Sequence, residues 1–277
     1  MSSLTDEQFI RYSKHICLHE WGEKSQIRLL DSSVLIIGCG GLGNHVAISL
    51  AASGVGRLVL VDDDQVELNN LPRQISFNMA QVGVAKVDAL KATIESQNAD
   101  CRVRCIKRRM TDEQLMLEVT LADIVIDCSD NMPTRQQINQ CCYRCKVPLI
   151  SGAVTGWKGQ FSIWDYAPKQ ACYSCLFPES PQVHTATKNC ADLGVVAPVV
   201  GIIGYYQSLA CLQLLTHQEI SFSTNRLYRL DGKRGDWSEY SIIADPQCAV
   251  CREQRVTEED THIRFKLDRL SGGKEDD

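Results

Sequence analysis

A short apolar run, Val34-Leu-Ile-Ile37, ends in the glycine loop Gly38-Cys-Gly-Gly-Leu-Gly43. A second apolar run, 57–61, ends in Asp62-Asp-Asp64. Between them, residues 44–53 read as a helix, stopped by Gly54 and Gly56. An apolar run with no alternation suits a strand buried on both faces, as in parallel sheets. Parallel neighbours need a crossover, so the order strand, glycine turn, helix, strand specifies a βαβ unit. Gly38, Gly40 and Gly43 fit the dinucleotide fingerprint, with Gly41 as an extra. Such a loop brings backbone N–H groups and a helix N-terminus up to phosphate oxygens. Asp62 falls at a strand end, where an acid can bind ribose hydroxyls. Taken alone, this unit fits an NAD-dependent oxidoreductase.

The alternation continues. Residues 85–95, 112–119 and 133–145 read as helices, and 101–106, 123–127 and 148–151 as strands, with Pro133 placed for a first helical turn. The expected fold is therefore α/β, a doubly wound, Rossmann-like, mostly parallel sheet. Thr5 with Gln8 has the form of a capping box, opening a helix that carries Arg11 and Tyr12. After residue 155 the texture changes. Residues 159–164 alternate in polarity, 197–215 suggest a buried helix, and 227–230 with 237–243 suggest an antiparallel pair. Residues 178–188 read as a mobile polar loop, and the charged tail 252–277 as partly disordered. The most apolar late stretch, 193–206, is too short to cross a bilayer, so no membrane association is expected.

The residues beyond Asp62 weaken the oxidoreductase reading. Asn70, Arg73 and Gln74 follow it, Lys86 stands at a helix start, and Asp130-Asn131 follow another strand. Two cations and a carboxylate suit a triphosphate with magnesium better than a nicotinamide ring. From residue type alone, Arg73 and Lys86 would each more often be surface charges. Two pairs, Cys172-Tyr-Ser-Cys175 and Cys248-Ala-Val-Cys251, have the spacing of a closed, structural zinc site. Cys142-Tyr-Arg-Cys145 has the same spacing but lies within a predicted helix and lacks a second pair, so packing is expected there. His45 is expected at the surface or as a cap, and Trp157 and Trp164 are expected to pack. The chain holds 14 cysteines and shows no signal-peptide pattern, which points to reduced thiols and a cytoplasmic location. A net charge of −5 gives no basic footprint for nucleic acid.

The glycine loop, Asp62 through Asn70-Leu-Pro-Arg73-Gln74, Lys86, Asp127-Cys-Ser-Asp130-Asn131 and the paired CxxC together resemble the ThiF/MoeB/HesA family, bacterial relatives of ubiquitin-activating enzymes. The likeness runs from about Leu4 to Cys251. It implies one adenylation domain over 1–251, with a nucleotide part at about 1–155 and a carrier-binding and zinc part at about 156–251. The stretches Asp130-Asn-Met-Pro-Thr-Arg135-Gln and Lys188-Asn-Cys190 are most similar to the thiamine-pathway branch, with the molybdopterin-pathway branch as runner-up. Pro72 replaces the glutamine expected there.

The resemblance implies an ATP-dependent adenylyltransferase acting on a ThiS-like, ubiquitin-like sulfur carrier. In that reading the loop glycines Gly38, Gly40, Gly41 and Gly43 and Asp62 bind nucleoside, Asn70, Arg73, Gln74 and Lys86 bind the triphosphate, and Asp130, beside Asn131, holds Mg2+. Arg11 would reach a neighbouring subunit's site, implying a homodimer. Cys190 would take part in sulfur transfer from a donor protein such as a cysteine desulfurase or persulfide carrier; its plain alternative is a small buried residue. A non-catalytic carrier-binding module is a further alternative, against which the retention of Arg73, Lys86 and Asp130 argues.

Overall fold

The computed structural model describes residues 3–178, 194–216 and 222–252. Most of the 178–188 loop, Cys190 and nearly all of the charged tail fall outside these residues.

Three helices, α1 (Asp6–Arg11), α2 (Ser13–Ile16) and α3 (Gly22–Asp31), lead into the sheet. The predicted capping box opens α1: Gln8 N–H donates to Thr5 Oγ1, and Thr5 N–H donates to Gln8 Oε1. Alternating units follow as β1 (Ser33–Ile37), α4 (Gly41–Ser53), β2 (Arg57–Val61), α5 (Lys86–Gln97), β3 (Arg102–Ile106), α6 (Asp112–Thr120), β4 (Ile124–Asp127) and α7 (Met132–Cys145). Then come β5 (Leu149–Thr155), β6 (Lys158–Trp164), α8 (Tyr173–Leu176), α9 (Ala197–Thr216), β7 (Arg226–Asp231) and β8 (Asp236–Ser241).

The strands form one sheet in the order β3-β2-β1-β4-β5-β6-β7-β8. Pairing is parallel from β3 to β5 and antiparallel from β5 to β8. The fold is thus a mixed α/β sheet with an antiparallel C-terminal extension, as expected. The chain winds outward from β1 to β2 and β3, then returns to lay β4 on the other side of β1. That reversal opens a crevice at the carboxyl ends of β1 and β4, where ligands bind in such sheets.

Two apolar layers sandwich the parallel strands. On one face Val34, Ile36, Leu58 and Leu60 pack with Leu50, Leu90, Ile94 and Ile203; on the other Leu35, Ile37 and Val125 pack with Leu115, Ile138 and Trp164. Full burial of each such side chain contributes about 1.5–3 kcal/mol.

The helix α9 runs on past the stretch judged too short for a membrane. At 20 residues it meets the length and composition of a span. Its packing is that of a core helix: Val199, Ile203, Gln207, Ser208 and Cys211 are buried, and Gln207 donates to the Asp127 carbonyl at 3.1 Å. The contact of α9 with α4 corrects the reading of His45, which is buried rather than exposed. Gly201 and Gly204 make the room: a Cβ on Gly204 would lie 2.9 Å from His45 Cβ. Trp164 packs as expected, but Trp157 is half exposed in the β5–β6 turn.

A nucleotide crevice and a four-thiolate cluster

The glycine loop follows from steric necessity at two positions. Gly38 has φ +91°, and a Cβ there would meet the Cys128 carbonyl oxygen at 2.6 Å. At Gly43 a Cβ would fall 1.9 Å from the Gly38 carbonyl oxygen, so only glycine lets α4 start against the loop. The two strand-end loops of the crevice are thereby held in direct contact.

Asp62 spans this loop. Its Oδ2 accepts the Cys39 N–H at 2.6 Å and its Oδ1 accepts the Asp64 N–H at 2.8 Å. Burial pushes its carboxyl above the usual carboxylate range, opposed by Lys86 and by these two N–H groups. Each carboxylate oxygen keeps a second acceptor position, as a ribose hydroxyl requires. Burial also raises the Cys39 and Cys128 thiols well above their ordinary value, so both are neutral fillers beside the loops.

Lys86 is the first residue of α5 and is 7% exposed. Its Nζ donates to Asp64 Oδ2 at 2.8 Å. Arg73 lies along the glycine loop, with Cγ 3.7 Å from where a Gly41 Cβ would stand, and its Nη1 donates to the Asn69 carbonyl. Gln74 lies beside Gly40; it is 1% exposed, and its Oε1 has no partner among the described residues. Asn70 turns inward: its Oδ1 accepts the Glu67 N–H at 3.2 Å and shapes the 67–70 turn.

Asp130 is exposed at the carboxyl end of β4. Asn131 caps α7, accepting the Thr134 N–H at 3.0 Å, and its Nδ2 reaches Asp130 Oδ1 at 3.3 Å. The loop is anchored from below by a group not assigned from sequence. Arg135 is buried, pairs with Asp127 at 3.3 Å, and donates to Ser151 Oγ and to the carbonyls of Ser129 and Gly152. Nothing in the spacing along the chain singled this arginine out.

The glycines, Asp62, Arg73, Gln74, Lys86 and Asp130 thus meet at the carboxyl edge of β1, β2 and β4. Arg11 does not join them. Its Nη1 donates to the Gln97 carbonyl at 3.0 Å, at the opposite end of α5 from Lys86, roughly 17 Å along a 12-residue helix.

The paired CxxC motifs converge. The ligand atoms of Cys172, Cys175, Cys248 and Cys251 all lie within 4.8 Å of one another. The Cys172–Cys248 and Cys175–Cys251 sulfurs are 3.6 and 3.4 Å apart. Bonds of 2.3 Å to a tetrahedral zinc would set about 3.8 Å between sulfurs, so the cluster fits that ion. Hydrogen bonds from Cys172 and Cys251 pull the Cys175 thiol down, while the hydrogen bond with Cys175 pushes Cys172 up. Asn139 of α7 ties it to the nucleotide half. Its Nδ2 donates to Ser174 Oγ at 2.9 Å and lies 3.8 Å from Cys172 Sγ, and its Oδ1 accepts from Tyr166 and from Tyr173 N–H. Cys141, Cys142 and Cys145 stay on α7 as packing groups, as expected.

Comparison with known proteins agrees with this geometry. The ThiF family description matches residues 12–250. The chain is 40% identical over 248 residues to the sulfur carrier protein ThiS adenylyltransferase of Escherichia coli (strain K12), covering 90% of this chain and 97% of that protein. It is 37% identical over 279 residues to the adenylyltransferase and sulfurtransferase MOCS3 of Dictyostelium discoideum, covering 99% of this chain and 65% of that protein. For MOCS3 of Sus scrofa the identity is 38%, and the chain spans 56% of that protein. Among solved structures, E. coli MccB with ATP superposes with TM-score 0.75 at 26% identity, covering 87% of this chain and 74% of that one.

Proposed function

The chain belongs to the ThiF family, and from that premise we propose that it adenylates the C-terminal Gly-Gly carboxylate of a ThiS-like, ubiquitin-like sulfur carrier, for thiamine thiazole synthesis. The observation that carries this reading is the meeting of a buried lysine, a loop-flanking arginine and an exposed aspartate around a glycine loop at one sheet edge. We read 1–251 as one adenylation domain whose part beyond 156 receives the carrier.

In this reaction the carrier carboxylate attacks the α-phosphorus of ATP. One C–O–P bond forms, the α–β phosphoanhydride breaks, and pyrophosphate leaves. A C-terminal carboxyl has a pKa of roughly 3.5 and is already ionised at neutral pH, so no general base is required. The obstacle is the approach of one anion to another. Lys86 and Arg73 offset it by positioning and by charge compensation. Asp130 would hold Mg2+; its carboxylate is exposed at the crevice and oriented by Asn131, which suits a hard cation. When bound, that ion supplies further neutralisation of the phosphate oxygens. The four cysteines would hold a structural Zn2+.

Arg11 we assign to the neighbouring subunit's crevice in a homodimer, since its own lies at the far end of α5. A second reading, adenylation of a molybdopterin-pathway carrier, is favoured by the MOCS3 relatives. Carrier-dependent ATP–pyrophosphate exchange with the purified carrier of each pathway separates the two. The thiamine carrier is expected to support exchange at least tenfold faster; preference for the other carrier would replace the first reading by the second.

We also assign Cys190, outside the described residues, to sulfur transfer. A persulfide on this cysteine, delivered by a cysteine desulfurase or persulfide carrier, would displace AMP from the adenylate and leave an acyl-persulfide link. Cys190→Ser is expected to retain pyrophosphate exchange and to lose thiocarboxylate formation. Undiminished thiocarboxylate formation by the variant would remove Cys190 from the pathway.

A further inference from the structure

Lys86 carries its charge where a helix least favours it. It is the first residue of the 12-residue α5, at the positive end of the helix dipole, and is 7% exposed. A buried ammonium without a counter-ion is costly, so the position demands an anion. The structure supplies Asp64. Lys86 and Asp64 are joined twice: Lys86 N–H donates to the Asp64 carbonyl at 3.0 Å, and Nζ donates to its Oδ2 at 2.8 Å.

The two partners are not equivalent. The Lys86 side chain is 9% exposed and that of Asp64 is 65% exposed, so the lysine is fixed and the carboxylate is free to move. Asp64 is also wired to the loop, because its N–H donates to Asp62 Oδ1 while Asp62 Oδ2 takes the Cys39 N–H. The glycine loop, the ribose acid and the phosphate lysine therefore form one continuous hydrogen-bonded chain.

We propose that Asp64 is a positioning residue for Lys86. In the free enzyme its carboxylate stands in for a nucleotide phosphate, holding the ammonium in the orientation that phosphate will need. When the triphosphate enters, a phosphate oxygen accepts from another of the three Nζ–H groups while Asp64 keeps its own, so the ammonium stays aligned. The lysine does not have to be recruited at the moment of reaction, which is the condition for electrostatic preorganisation. This inference rests on the adenylation reading and extends it to a residue that contacts neither carrier nor nucleotide once ATP is bound.

The test is steady-state ATP–pyrophosphate exchange by full-length wild type, Asp64→Asn and Asp64→Glu, with melting temperature as a check on folding. Asp64→Asn leaves the buried Lys86 without its anion and should melt below wild type, whereas Asp64→Glu should melt with it, so exchange is measured where all three are folded. Asp64→Asn is expected to lower kcat about tenfold without raising KM for ATP, because one carboxylate near the phosphates is gone while the lysine is left unaligned in the bound state. Asp64→Glu, which keeps the charge, is expected to restore kcat to within about threefold of wild type. Near-wild-type kcat in folded Asp64→Asn, or an equal loss in both variants, would each overturn the proposal. Absence of exchange in wild type would instead overturn the adenylation reading beneath it.

Discussion

Lys86→Ala and Asp130→Ala are each expected to lower carrier-dependent pyrophosphate exchange by about a hundredfold or more, the scale for removing one preorganised electrostatic contact in a transition state. For Lys86 the sign is fixed by its surroundings. Asp62, Asp63 and Asp64 cluster at the crevice, and their ligand atoms lie within 4.8 Å of one another. Lys86 is the buried cation beside them. Without it, a triphosphate would meet three acids rather than an ammonium. Alanine at 86 also leaves α5 without its first side chain but breaks no backbone bond, so folding should survive. Asp130 differs: it is exposed, and its removal costs no buried contact. A loss of exchange there reads as loss of a ligand rather than of structure. Exchange measured alongside thermal melts checks both. Wild-type-like exchange in both folded variants would remove them from the chemistry.

The second large effect concerns the metal. Wild type is expected to carry about one zinc per chain, and Cys248→Ser to lose it. The cluster ties the 248–251 segment to the α7–α8 region. Cys248 and Cys251 pack with Trp164, Tyr166 and Tyr173 in the second core layer. Loss of about 3 kcal/mol or more is expected, a fall in melting temperature of roughly 6 °C or more. The damage should reach the active site, because Asn139 links the cluster to α7, and α7 is capped by Asn131, which orients Asp130. Reduced exchange should therefore accompany the loss of metal. Metal analysis and a melt decide it: metal-free wild type, or an unchanged melt in Cys248→Ser, would contradict the assignment.

Much of the parallel half was legible, because buried strands advertise themselves as apolar runs. The 57–61 strand was read with the bounds the structure has. By contrast, α3 escaped notice: it starts at Gly22, with φ +61°, behind Trp21, which makes no side-chain capping bond. The strand begun at 148–151 runs on to Thr155, and at Gly152 the approach of the Gln207 side chain, 2.4 Å from where a Cβ would stand, could not be read from the sequence. His45 was misread for a similar reason, since the glycines that accommodate it lie on α9, more than 150 positions away in the chain. In the candidate site, the individual residues were legible as motif members, but their pairings were not. The Lys86–Asp64 pair and the Arg135–Asp127 pair depend on strands and helices being brought edge to edge. Spacing along the chain carries no trace of either.

The reaction turns on whether the crevice lets a peptide carboxylate bond to the innermost phosphate of ATP. Intact-mass analysis of a Gly-Gly-terminated carrier, incubated with wild-type enzyme, ATP and magnesium, reads that bond itself. The expected product is carrier bearing AMP on its C-terminal carboxylate, formed together with pyrophosphate. Carrier that binds yet stays unmodified, while ATP is left whole or is cut to ADP and phosphate, would contradict it.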